Sequence, residues 1–162
     1  MHGHHTHRTH HTHHIPRGWT LLELVVVCGL IALLSTLALP SYRDHVLRSR
    51  RMEALSALMQ IEQAQERRRS FQPSYTDILG AGGLDLPATT PNGLYQFNLS
   101  TVVGTESSAY SITAIAQGAQ ADDSPCQRLG VTLSAGSRQM VSGPDAQLSN
   151  TAAINRRCWG QP

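Results

Sequence analysis

The stretch from Leu24 to Leu39, LVVVCGLIALLSTLAL, contains no charge and follows directly on an acid, Glu23. It is about 16 residues long, short for a spanning helix by itself. From Trp19 to Pro40 the count is about 22 residues, or about 33 Å of helix, enough for a hydrocarbon layer of about 30 Å. A plain soluble cytosolic enzyme does not fit such a segment near its start. Glu23 at the mouth of the run costs about 2.5–3.5 kcal/mol if drawn to mid-membrane. Left among the headgroups, it favours the positive end of the helix dipole. Held inside an assembly, it requires a cationic partner.

Upstream lies MHGHHTHRTHHTHH, which holds eight of the nine His. A tract of this composition builds no core. Imidazoles ligate metals, but nothing in the tract fixes a coordination geometry, so no metal site is assigned to it.

Helical periodicity resumes directly after Pro40. Leu47, Ala54, Leu58 and Ile61 form one apolar stripe, and Asp44 and Arg48 stand at i,i+4 on the wet face. Arg67, Arg68 and Arg69 suit the negative end of a helix, and Pro73 is a stop signal. Trp19 to about Ser70 therefore reads as one helix, kinked at Pro40.

Residues 71–94 carry Pro73, Pro87, Pro91 and the Gly80-Ala-Gly-Gly83 cluster, the composition of a connecting loop. The period then changes to two. Tyr95, Phe97 and Leu99 alternate with polar residues, as do Tyr110, Ile112, Ala114 and Ala116, then Leu129, Val131 and Leu133. Arg138 to Val141 follows a turn at Ala135-Gly136 and makes a fourth strand. A helix over roughly four antiparallel strands is an α+β layer pair.

So small a core needs a staple. Cys126 and Cys158 enclose a loop of about 33 residues, worth roughly 3.5 kcal/mol by chain-entropy arithmetic. A disulfide is the preferred reading over two free thiols because the domain follows an export segment. Cys28, within the apolar run, reads as a small buried hydrophobe.

At Gly18-Trp19-Thr20-Leu21-Leu22-Glu23-Leu24 the chain resembles the prepilin signal of type IV pilins and pseudopilins. That pattern is a basic leader ending in Gly, an apolar or aromatic residue, Thr, two aliphatics, and Glu before a long apolar stretch. Trp19 stands where the family usually has Phe. The resemblance continues through Pro40, Ser41 and Tyr42, and SITAIAQGAQADDSPC with Cys158-Trp159 resembles the disulfide-bounded region of type IVa pilins. It implies the pilin fold: a long kinked helix, half of it in membrane or filament core, on an antiparallel sheet with a disulfide-closed C-terminal loop.

The implied division is a leader at 1–18, a transmembrane or filament-core half at 19–40, an amphipathic half at 41–70, a connecting loop at 71–94, and sheet with disulfide region at 95–162. The resemblance further implies cleavage between Gly18 and Trp19 by prepilin peptidase and N-methylation of Trp19. Glu23 would then pair with a neighbour's Trp19 amine during assembly, and two opposite charges buried together cost far less than either alone. The partners would be other pilin subunits, the peptidase and the assembly machinery of the inner membrane. The subunit would begin as a single-pass inner-membrane protein with a periplasmic C-terminus and end in an extracellular pilus.

No catalytic constellation accompanies this pattern. His45 is the only His after the leader and reads as a solvated helix residue, and no CxxC or phosphate-binding Gly loop occurs. No cofactor or metal is implied. Three other readings stay open. A DNA-receptor minor pilin needs a local basic patch, because removing Arg8 and Arg17 from 13 Arg leaves no excess over 11 acids. Arg128, Arg138, Arg156 and Arg157, in or beside the cysteine loop, are the candidate contacts. A type II secretion pseudopilin fits the signal but not the cysteine pair. An ordinary secreted protein would need a small-residue cleavage site, and Leu37-Ala-Leu-Pro40 is a poor one. Against the export topology stand Arg43, Arg48, Arg50 and Arg51, which outnumber Arg8 and Arg17 across the apolar run.

Overall fold

The computed structural model describes residues 18–161, with the side chains of 37–40 outside that description. The His-rich leader and the kink expected at Pro40 fall outside the described residues. Helix α1 spans Leu21–Arg69 and carries Arg67, Arg68 and Arg69 in its last turn. The chain divides after Pro40 into two units, residues 1–40 and 41–162.

In the first unit Thr20 Oγ1 accepts the Glu23 backbone N–H at 3.2 Å, the hydroxyl half of a capping box. Ser35 and Thr36 return their hydroxyls to the Ile31 and Leu33 carbonyls, so neither leaves an open donor on the apolar helix. Leu21, Leu22, Leu33 and Leu34 are all more than 60% exposed, at 80%, 75%, 64% and 64%. Cys28 is also exposed, not buried as its residue type suggests, because this helix half has no core of its own to enter. Among the described residues no single helix is long and apolar enough to cross a membrane.

The second unit is built around the other half of α1. Ala54, Leu58 and Ile61 are buried in one cluster with sheet residues, so the apolar stripe does seat the helix on the sheet. The sheet runs β1 (Tyr95–Ser100), β2 (Ala109–Ala116), β3 (Arg128–Ser134) and β4 (Ser137–Gly143), adjacent in that order. Every neighbouring pair is antiparallel. The alternation of Tyr95, Phe97 and Leu99 with exposed residues holds along all of β1. Tyr110, Ile112, Ala114 and Ala116 form the inner row of β2, and Leu129 and Val131 that of β3. The architecture is the α+β layer pair expected, with the cysteines joined at a Cα–Cα distance of 5.4 Å.

Both outer edges of the sheet are partly covered. Residues 88–90 bond to β1 through the Phe97 N–H to the Ala88 carbonyl at 2.7 Å and the Thr90 N–H to the Tyr95 carbonyl at 2.9 Å. Beyond β4 the chain returns and the Asn150 N–H donates to the Ser142 carbonyl at 3.0 Å. Two short elements had no clear signal in the sequence: a 3-10 turn over Gly118–Asp122 and helix α2, Ala152–Cys158.

Candidate functional site

A groove of about 660 Å³ opens between the start of the second unit's helix, residues 122–124 and α2. Its helix wall presents Asp44, His45, Leu47, Arg48 and Arg51, and the facing wall Asp122, Asp123, Arg156 and Arg157. The groove is assembled by one buried ion pair. Arg51, 7% exposed, donates from Nε and Nη2 to the two Asp123 oxygens at 2.8 and 2.7 Å. Its Nη1 reaches on to the Arg157 and Cys158 carbonyls at 3.2 and 3.4 Å. A planar guanidinium suits this task, because it satisfies a carboxylate bidentately and keeps donors for the carbonyls.

Gln120 sits beneath the pair, donating to Asp123 Oδ2 at 3.0 Å, the Leu47 carbonyl at 3.1 Å and the Tyr95 hydroxyl at 3.0 Å. Burial first, and the Asp123 charge second, push the Tyr95 phenol up to about 12. Tyr110, at the other end of the core, is likewise raised by burial and then by the charges of Glu62 and Glu66.

Helix α2 is also tied to β4. Asn155 donates to the Met140 carbonyl at 2.7 Å and accepts from the Ser142 hydroxyl at 2.7 Å. Trp159 Nε1 donates to the Val141 carbonyl at 3.2 Å. With the disulfide holding Cys158 to Cys126, the segment bearing Arg156 and Arg157 is fixed from three sides.

The four arginines singled out as candidate DNA contacts do not come together as a set. Arg156 and Arg157 are exposed neighbours on α2 and share the groove with Arg48. Arg138 lies opposite Leu133 near the β3–β4 turn and donates to both Glu62 oxygens at 2.6 and 2.8 Å. That bond raises the Arg138 pKa. Arg128 opens β3 opposite Gly143, roughly 17 Å along the ladder from Arg138. By strand alternation it points to the other face of the sheet.

Asp44 and Arg48 are not within ion-pair distance. Among the described residues the ion pairs are Arg51–Asp123, Arg138–Glu62 and the exposed Arg43–Asp122 at 3.5 Å. All three join the helix to partners more than 70 residues away in sequence, which is why spacing along the chain did not reveal them. His45 is exposed, as expected, but on the groove wall. Glu23 and Trp19 are exposed at the start of α1, and Gly18 stands beside them with open space around it. Among the described residues no group of three or more His, Cys, Asp or Glu is placed to hold a metal ion.

An amphipathic helix on a four-stranded antiparallel sheet, a C-terminal disulfide, and an apolar helical extension without a partner together define the pilin class of architecture. The comparisons agree. The family model described as "Type IV minor pilin ComP, DNA uptake sequence receptor" matches residues 40–130, more than half of the chain. The chain belongs to that family of type IV pilins. It is 43% identical over 42 residues to the fimbrial protein EcpC of Eikenella corrodens, covering 26% of this chain and 28% of the relative. It is 35% identical over 82 residues to prepilin peptidase-dependent protein D of Escherichia coli K12, covering 48% of this chain and 47% of the relative. The chain thus spans less than half the length of these curated relatives. As a member of that family the chain is a type IV pilin subunit.

Proposed function

We propose that the protein is a minor pilin, made as an inner-membrane precursor and drawn into a filament by residues 19–40. The observation that carries this reading is the uncovered apolar surface of Leu21 to Leu34 beside a finished domain. A stretch this apolar requires lipid or other helices around it. In this reading residues 1–18 are the leader, prepilin peptidase cuts between Gly18 and Trp19, and the Trp19 amine is methylated. The C-terminal unit faces the periplasm before assembly, the role is structural and not enzymatic, and no cofactor takes part.

Glu23 accepts the neighbour's Trp19 amine as the subunit enters the filament. Its carboxylate has no cationic partner among the described residues, which leaves it open to one from another chain. Glu23→Val tests this. A helix that served only as an anchor would be relieved by losing a carboxylate from an apolar run. The assembling subunit is instead expected to be cleaved normally and to persist in the membrane, yet to fall at least tenfold in sheared filaments. Wild-type incorporation of Glu23→Val, with the other pilins intact, removes Glu23 from docking. Gly18→Leu separates the steps, since it should leave the uncut precursor in the membrane.

The family match favours a second role, capture of DNA at the pilus surface. Arg128, Arg156 and Arg157 carry it in this reading, while the Arg138 guanidinium is occupied by Glu62. Phosphate contacts of this kind should appear as a salt dependence of duplex binding. Arg156→Gln with Arg157→Gln is expected to lower the slope of log affinity against log salt by about two. An unchanged slope assigns any DNA binding to other residues.

A further inference from the structure

The four arginines just beyond the apolar run have no role in processing, docking or DNA capture, and the folded domain treats them unequally. Arg51 is buried against Asp123, and Arg43 is matched by Asp122 at 3.5 Å. Both acids come from the 3-10 segment and its edge, so the fold itself neutralises two of the four. Arg50 does not line the groove. Arg48 does, and Arg156 and Arg157 meet it there from α2. With Asp122 and Asp123 paired, Asp44 is the one unpaired acid among the described residues that line the groove with these three cations.

The wall that carries Arg156 and Arg157 is not a floppy tail. The Arg51 guanidinium, the disulfide, and the Asn155 and Trp159 bonds to β4 all hold it in place. The groove also begins at Ser41, the residue after Pro40, and Arg48 lies about two helical turns, about 12 Å, beyond that proline. If the apolar run sits in hydrocarbon, the eight residues from Pro40 to Arg48 cannot carry Arg48 more than about 30 Å from its end, whatever the placement of the two units. Arginines lining one open polar groove suit a phosphodiester, which a guanidinium can bond bidentately.

We propose that the groove formed by Arg48, Arg156 and Arg157 binds the headgroup of an anionic phospholipid and holds the folded domain against the bilayer before assembly. The proposal rests on the membrane-anchored reading of residues 19–40. Entry into a filament would exchange the lipid contact for subunit contacts, so the bound lipid marks the membrane pool.

The full-length chain in mild detergent, mixed with phosphatidylglycerol or phosphatidylcholine, tests it by native mass spectrometry. Phosphatidylglycerol adducts are expected to exceed phosphatidylcholine adducts by at least tenfold. Arg48→Gln, Arg156→Gln and Arg157→Gln combined should bring the two lipids level. Arg156→Lys with Arg157→Lys, which keeps the charge, should retain most of the preference and shows that α2 still folds. Arg67→Gln removes an exposed cation outside the groove and should change nothing.

An equal loss in Arg67→Gln, or an unchanged preference in the triple variant, overturns the proposal. So does a triple variant that loses duplex DNA binding while keeping phosphatidylglycerol, which would assign the groove to nucleic acid alone. Release of the wild-type chain from membranes by alkaline carbonate would instead defeat the anchored reading. A chain that resists carbonate but shows no lipid preference sinks only the present inference.

Discussion

Residues 19–40 and residues 41–161 solve the same problem in opposite ways. Both are rich in aliphatic side chains on a helix. In the second region Leu58 is 0% exposed because β1, β2 and β3 supply a facing layer. In the first, Leu30 is 55% exposed and no strand or helix among the described residues covers it. An apolar helix acquires its environment from later segments of its own chain, or else from outside. The same difference separates their acids. Asp123 is buried and answered within the domain by Arg51, whereas Glu23 is exposed and answered by nothing among the described residues of its own unit.

The comparison breaks most sharply under paired truncations. Leu58→Ala is expected to lower the stability of the folded unit by about 3–5 kcal/mol, since a fully buried leucine leaves a cavity. Leu30→Ala should change it by less than about 0.5 kcal/mol, as for a site outside the core. Denaturant titration of the detergent-solubilised chain reads both. Equal effects would mean that the two units fold as one.

A smaller effect is expected from the staple. Cys126 and Cys158 should resist alkylation until reduced, and Cys158→Ser should cost about 2–4 kcal/mol. The loss should be confined to the second unit, and free labelling of both thiols under non-reducing conditions would contradict it. Because the disulfide also positions Arg156 and Arg157, the variant should weaken whatever the groove binds.

The smallest effect is a pH dependence that only the second unit can show. Tyr95 is held neutral by burial, with its pKa pushed up to about 12 against an ordinary value of 10.0. A raised folded pKa means that the unfolded chain loses its proton first. The stabilisation is therefore complete below about pH 10 and is lost as pH rises toward and through the folded value. Across that window the slope should be about 1.4 kcal/mol per pH unit for each such tyrosine. Tyr110 shares the behaviour. Tyr95→Phe should reduce the alkaline slope by about one proton, as measured by thermal unfolding between about pH 9 and 12, and an unaltered slope would exclude Tyr95 as a source.

Local pattern determined a good deal about this protein. The change from a period near 3.6 to a period of two located the helix and three strands, and the turn at Ala135-Gly136 pointed to the fourth. Gly18 to Leu24 disclosed the pilin resemblance because that motif is made of residues next to each other in the chain. The export context was sufficient to favour a Cys126–Cys158 bond. Tertiary structure alone decided which charges are spent and which remain available. Arg138 looked like a ligand contact until Glu62, 76 positions away, was found to hold it. Arg48 looked like half of a local pair with Asp44, yet it joins Arg156 and Arg157 across the groove. Helix α2 escaped notice because seven residues are too few to display a helical period, and β4, Arg51 and the disulfide hold it in place. Periodicity is a property of neighbours in the chain, whereas neutralisation of a charge depends on distance in space, and the fold brings those partners together from far apart in the chain.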